Sequence, residues 1–106
     1  MNKELEAIRE RPNFFFNGSE YPFTCLQMFL AGYESGFAAA KYNHSKPEEL
    51  VSRDFTKFVT EKFGKQFPAG GKGWQTFIEE NTSSEKEAFD LFFKLREEYE
   101  MNLQNK

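Results

Sequence analysis

The stretch "SEKEAFDLFFKLREEYE", residues 84–100, constrains this chain more than any other. Ala88, Phe89, Phe92, Leu95 and Tyr99 recur at intervals of three and four, so a helix gathers them on one face. Ser84 and Glu87 stand three apart at its start, the spacing of a capping box that satisfies backbone N–H groups at a helix N-terminus. A helix is therefore predicted from Ser84 to about Met101. Leu91 and Phe93 widen the apolar face on both flanks, as a helix touching two neighbours requires. A strand would need alternation of period two, and none is sustained anywhere in the chain.

The same period recurs upstream. A short helix is predicted from Lys3 to about Arg11, with Asn2 as N-cap and Pro12 ending it, because the residue before proline is pushed out of the helical region. A second runs from about Pro22 to Tyr42, with Leu26, Phe29, Leu30, Tyr33, Phe37 and Ala40 at helical spacing. Its Gly32, Gly36 and Ala40 form a small-residue strip, expected to let another helix approach closely and so offset the helix-weakening glycines. A third opens on a Ser45–Glu48 capping box with Pro47 in its first turn. It presents Val51, Phe55, Phe58, Val59 and Phe63, and closes on Gly64 as a left-handed cap. After the loop "GKQFPAGGKG", Trp74, Phe77 and Ile78 mark a short helix ending near Asn81. The expectation is an all-α, single-domain bundle of about five helices over 106 residues. With 14 Phe, four Tyr and one Trp, the core is expected to be built from rings, each removing on the order of 150–250 Å² from water.

Between the first two helices lies "NFFFNG", residues 13–18. Read as extended chain, Phe14 and Phe16 point one way and Phe15 the other, plugging two gaps between helices. The alternative is an aromatic patch held outside for a partner.

Little in the sequence supports chemistry. Cys25 is the only cysteine, which rules out an internal disulfide, and it is expected to be a small buried apolar residue. His44, the only histidine, is about 28 Å from it by helical rise, too far for a thiol–imidazole pair. The glycine loop lacks Walker spacing, with Gln66 and Gly73 where glycine and Ser/Thr belong, so Lys65 and Lys72 read as solvated charges. No metal, cofactor or catalytic set is expected, and no enzyme. The N-terminus "MNKELEAIRERP" is charged from the start and has no apolar core of a signal peptide. No run approaches the roughly 18–20 apolar residues of a membrane span. A cytoplasmic monomer is expected, with the small-residue strip as the feature that would serve a dimer.

The net charge of −3 is unevenly placed. Residues 1–75 carry ten Lys/Arg and nine Asp/Glu, whereas 76–106 carry four and eight. That balance argues against nucleic acid as a direct ligand. Glu87, Asp90, Glu97 and Glu98 fall opposite the aromatic stripe of the last helix, and Glu79 and Glu80 extend the acidic surface. One account is a solvated face with Lys94 bridging Asp90 and Glu98 at i,i+4 spacing. The other is a binding surface for a basic partner.

Taken together, "IRERPNFFFNG", "LQMFLAGYESGF", the aromatic third helix, "GKGWQTFIEEN" and "EAFDLFFKLREEYE" resemble small bacterial immunity proteins of polymorphic toxin systems, including those of contact-dependent growth inhibition. Arg11, Pro12, Gly18, Phe29, Leu30, Gly32, Tyr33, Trp74, Phe92 and Phe93 carry the resemblance best. It implies a protein that binds a cognate toxin domain and blocks it, the toxin being in many such systems a nuclease. A nuclease site is basic because it holds phosphates, so Glu79, Glu80, Glu87, Asp90, Glu97 and Glu98 become the expected contacts. The competing expectation is a helical adaptor that grips another protein through the aromatic turn.

Overall fold

A computed structural model describes residues 3–39, 53–70 and 72–104, with 33–39 as backbone alone. The described chain is all-α, with six helices: α1 (Lys3–Glu10), α2 (Pro12–Phe16), α3 (Pro22–Ala39), α4 (Arg53–Lys62), α5 (Trp74–Glu80) and α6 (Glu85–Gln104). The Asn2 cap, the far end of the second predicted helix, His44, the Ser45–Glu48 capping box and Val51 lie outside the described residues, as do the side chains of Tyr33 and Phe37.

α6 is the spine. Its buried side chains, Ala88, Phe89, Phe92, Phe93, Leu95, Arg96 and Tyr99, cover a broad arc, and α3, α4 and α5 pack against it. Leu5 and Ile8 of α1, Phe23, Leu26 and Leu30 of α3, Phe55 and Val59 of α4, and Trp74, Phe77 and Ile78 of α5 complete one continuous apolar cluster. Its middle is a set of ring contacts. Phe55 meets Trp74, Phe92 and Tyr99 with centroids 6.1, 5.7 and 5.4 Å away, and Trp74 lies 4.9 Å from Phe92. Most are edge-to-face or tilted, the arrangement that opposed ring quadrupoles favour.

The helix ends are satisfied as the local sequence dictates. Gly64, at φ +77°, closes α4. Its N–H donates to the Glu61 carbonyl at 3.0 Å and Lys65 N–H to that of Thr60 at 3.1 Å, the paired bonds of a Schellman motif. Asn81 Nδ2 and Thr82 Oγ1 donate to the Phe77 and Ile78 carbonyls at 2.7 and 2.9 Å, capping the end of α5. At the start of α6 the Glu87 N–H donates to Ser84 Oγ at 3.1 Å. The return half of the capping box shifts by one residue: the Glu87 carboxylate accepts from the N–H and hydroxyl of Ser83, at 3.0 and 3.1 Å.

Three expectations are corrected. The triple phenylalanine is helical, not extended, which brings the described helices to six. Pro12 occupies the first position of α2, where its fixed φ suits the helix and its missing N–H costs nothing, so the residue that stops one helix starts the next. In a helical turn successive side chains diverge by about 100°, so the three rings cannot all reach the core. Phe16 packs inward with its centroid 6.4 Å from Phe89, while Phe14 and Phe15 remain 78% and 43% exposed. Second, no helix among the described residues packs closely on Gly32, because a Cβ built there meets nothing within 4 Å, while the surroundings of Gly36, and Ala40, lie outside the described residues. Third, Cys25 is half-buried, not enclosed.

Candidate functional site

The turn between α2 and α3 concentrates what the core leaves out. α2 ends on Asn17 in the left-handed conformation (φ 52°), followed by Gly18 at φ 68°, and this pair reverses the chain. The Gly18 N–H reaches back to the Asn13 carbonyl at 3.3 Å, and the Ser19 N–H to that of Phe16 at 3.0 Å. Ser19 Oγ accepts the Tyr21 N–H at 3.0 Å, fixing the entry to α3. The turn thus holds Phe14 and Phe15 edge-to-face, centroids 5.3 Å apart, with Tyr21 60% exposed nearby in the chain.

A groove of about 360 Å³ runs between this turn and the first half of α6. Pro12, Pro22 and Phe89 supply its apolar surface, and Arg9, Glu20, Lys86 and Asp90 its charges. Glu85, in the first turn of α6, accepts the Thr24 N–H at 2.8 Å. That N–H is one of the unpaired donors at the start of α3, so a carboxylate of one helix caps another and ties the two walls of the groove together. Sequence spacing cannot reveal such a cap, because the two residues stand 61 positions apart.

The acidic residues expected as contacts are present at the surface, but most are engaged within the protein. Glu97 pairs with Arg9 of α1. Glu98 stands 2.9 Å from Lys62 Nζ of α4, so the expected bridge from Lys94 to Glu98 is replaced by a tertiary contact. Glu80 pairs with Lys72 at 3.0 Å, and Glu79 accepts from Gln27 Nε2 at 3.3 Å. Glu87 belongs to the cap of α6, and its carboxyl titrates below its ordinary value because the backbone N–H and then the hydroxyl of Ser83 donate to it. Asp90 remains, exposed on the groove rim. The six carboxylates therefore do not form one free patch. Glu97 and Glu98 leave α6 on opposite sides, toward α1 and α4.

Arg96 was not anticipated as a core residue. It is only 8% exposed, and its guanidinium stands 5.2 Å from the centroid of Phe55 and 5.5 Å from that of Tyr99. Glu100 Oε1 is 3.5 Å from its Nε. Its position on the apolar arc, between Phe92 and Tyr99 at helical spacing, is the one sequence signal for its burial.

Among the described residues no group of three or more His, Cys, Asp or Glu is placed to hold a metal ion. Nor is any helix among them long and apolar enough to cross a membrane. Comparison with protein-family models, with curated proteins and with solved structures finds no match.

Proposed function

We propose that this chain is an immunity protein: it binds a cognate bacterial toxin domain, a nuclease, and neutralises it by occlusion, with the aromatic turn as the anchor of the contact. The observation that carries the binding reading is the exposure of Phe14, Phe15 and Tyr21 beside a groove. The central rings of the same chain are sealed within it. Burying such rings against a partner contributes on the order of 2–3 kcal/mol each before the costs of association, enough to make them the centre of an interface. Glu20 and Asp90, which border the groove without an ion-pair partner among the described residues, favour a basic partner and speed its approach. The identity of the partner as a toxin rests on the resemblance of the helix and turn motifs. An adaptor that grips another protein through the same turn is the second reading, and the exposed rings favour it equally.

Whether the reading frame immediately upstream encodes the end of a large secreted toxin, and whether co-expression with that fragment rescues growth, separates the two. Rescue of growth by the wild-type chain, and its loss in Phe14→Ala/Phe15→Ala, is the expected outcome. A purified double variant that folds as well as wild type and still binds the fragment with wild-type affinity refutes the anchoring role. Failure of the wild-type chain to bind that fragment or rescue growth refutes the immunity reading.

A further inference from the structure

We infer that the groove between the α2–α3 turn and α6 receives a cationic side chain, an arginine or lysine, from the partner polypeptide. Its aliphatic stem lies over Phe89 and its charge sits between Glu20 and Asp90. The inference rests on the protein-docking reading above and names the chemistry that the docking site takes.

Most charges around the groove already have partners within the chain. Arg9, on the groove wall, is held by Glu97, and its guanidinium stands 5.9 Å from the Phe93 ring centroid. Glu79, Glu80, Glu85, Glu87, Glu97 and Glu98 all have partners within the chain. Glu20, Lys86 and Asp90 border the groove with no ion pair or hydrogen bond to another described residue. The uncommitted charge at the groove is thus two carboxylates against one ammonium. Glu20 comes from the turn and Asp90 from α6, so the carboxylates belong to opposite walls, and Lys86 lies one helical turn from Asp90 on the same rim. An anionic occupant meets both carboxylates. A neutral one leaves Glu20 to solvent and Asp90 with only Lys86, one helical turn away, as a counter-charge. A cationic one is complementary to both walls, and Lys86 keeps its solvent-facing place on the rim.

Size and lining agree. A groove of about 360 Å³ accommodates one long side chain and the backbone that carries it. Pro12, Pro22 and Phe89 offer apolar surface to a methylene stem. The open faces of Phe14 and Phe15 on the adjoining turn suit a guanidinium, which stacks on rings as well as pairing with carboxylates. Glu20 escapes notice in the sequence because a lone acid in a turn reads as a solubilising residue; the fold brings it to the groove that Asp90 borders.

The test uses the intact, isotope-labelled chain and acetylated hexapeptides Gly-Ser-Phe-X-Ser-Gly, with X arginine, citrulline or glutamate. Backbone amide shifts are followed by NMR at low salt. The expected result is saturable shifts at Glu20, Phe89 and Asp90 with the arginine peptide, binding weaker by about fivefold with citrulline, which keeps the shape but lacks the charge, and weaker still with glutamate. In Glu20→Gln/Asp90→Asn, which leaves every described ion pair intact, the preference for arginine over citrulline disappears. Equal binding of the three peptides, no saturable shifts with any, or shifts confined to another face overturns the inference. The two readings fail separately. If Phe14→Ala/Phe15→Ala loses the toxin domain while Glu20→Gln/Asp90→Asn keeps it at full affinity, docking at the turn stands and the cationic occupant falls.

Discussion

Replacing Phe55 tests whether the ring cluster holds the fold. Phe55 is fully buried and contacts Trp74, Phe92 and Tyr99, with the Arg96 guanidinium 5.2 Å from its centroid. Truncation to alanine removes a whole ring from the junction of α4, α5 and α6, and the surrounding rings relax into the space only in part. Phenylalanine-to-alanine changes at such sites cost about 3–5 kcal/mol. The upper half of that range is expected here, because Arg96 also loses one of the two rings that shield its buried charge. A domain of this size is stable by only about 5–15 kcal/mol, so Phe55→Ala removes roughly a quarter of its stability or more. Phe55→Leu keeps most of the volume and loses the ring geometry, for an expected cost of about 1–2 kcal/mol. Trp74, the only tryptophan, lies against Phe55 and reports directly on the site. Urea unfolding followed by its fluorescence and by far-UV circular dichroism, with the m-value checked for constancy, gives both numbers. Phe14→Ala is the internal control, since its exposed ring predicts a change within about 0.5 kcal/mol. A loss below 2 kcal/mol for Phe55→Ala, or equal losses for the alanine and leucine variants, refutes the reasoning.

Two further outcomes follow from the helix ends and faces. The Glu87 carboxyl titrates below its ordinary value of 4.5, so its contribution to stability is complete above that pH and fades as pH falls through the depressed folded value. The stability difference between wild type and Glu87→Gln is therefore expected to be largest near neutrality and to vanish in acid. A pH-independent difference rejects the Ser83 contacts as its cause. Gly32 lies inside α3 with open space where a Cβ would project, so Gly32→Ala is expected to stabilise the protein by about 0.5–1 kcal/mol. A thermal melt showing destabilisation instead means that this strip is a contact surface after all.

The sequence reveals a helix here wherever periodicity extends over several turns. α4, α5 and α6 fall where Phe55 and Val59, Trp74 to Ile78, and Ala88 to Tyr99 place them, and Gly64 marks its cap because the left-handed region excludes most other residues. α2 was illegible for the converse reason. Five residues contain too little of a period to be read, and a proline at position 12 is equally consistent with a stop and a start. The error about Phe14 and Phe15 follows from that one ambiguity, since an extended chain and a helical turn send the same three rings in different directions. The partners of Glu97 and Glu98 were illegible on different grounds. Spacing within a helix shows Lys94 as a neighbour, but only the packing of α1 and α4 against α6 brings Arg9 and Lys62 closer.

Those tertiary pairs decide which acidic residues can inform on binding. Glu97 ties α6 to α1 and Glu98 ties it to α4, so neutralising both changes the fold's own contacts as well as the charge offered to a partner. A slower association in a variant lacking Glu87, Asp90, Glu97 and Glu98 would then have two causes, long-range attraction and altered helix packing. Each exposed pair contributes at most about 1 kcal/mol, yet the Glu87 cap is lost in the same step. Asp90 and Glu20 carry no such entanglement, because neither has an internal partner among the described residues. A decrease in association rate on neutralising those two alone, diminishing as salt rises, isolates the electrostatic contribution of the groove. If the rate falls only when Glu97 and Glu98 are also changed, the partner reads the acidic face of α6 and the groove takes no part in steering it.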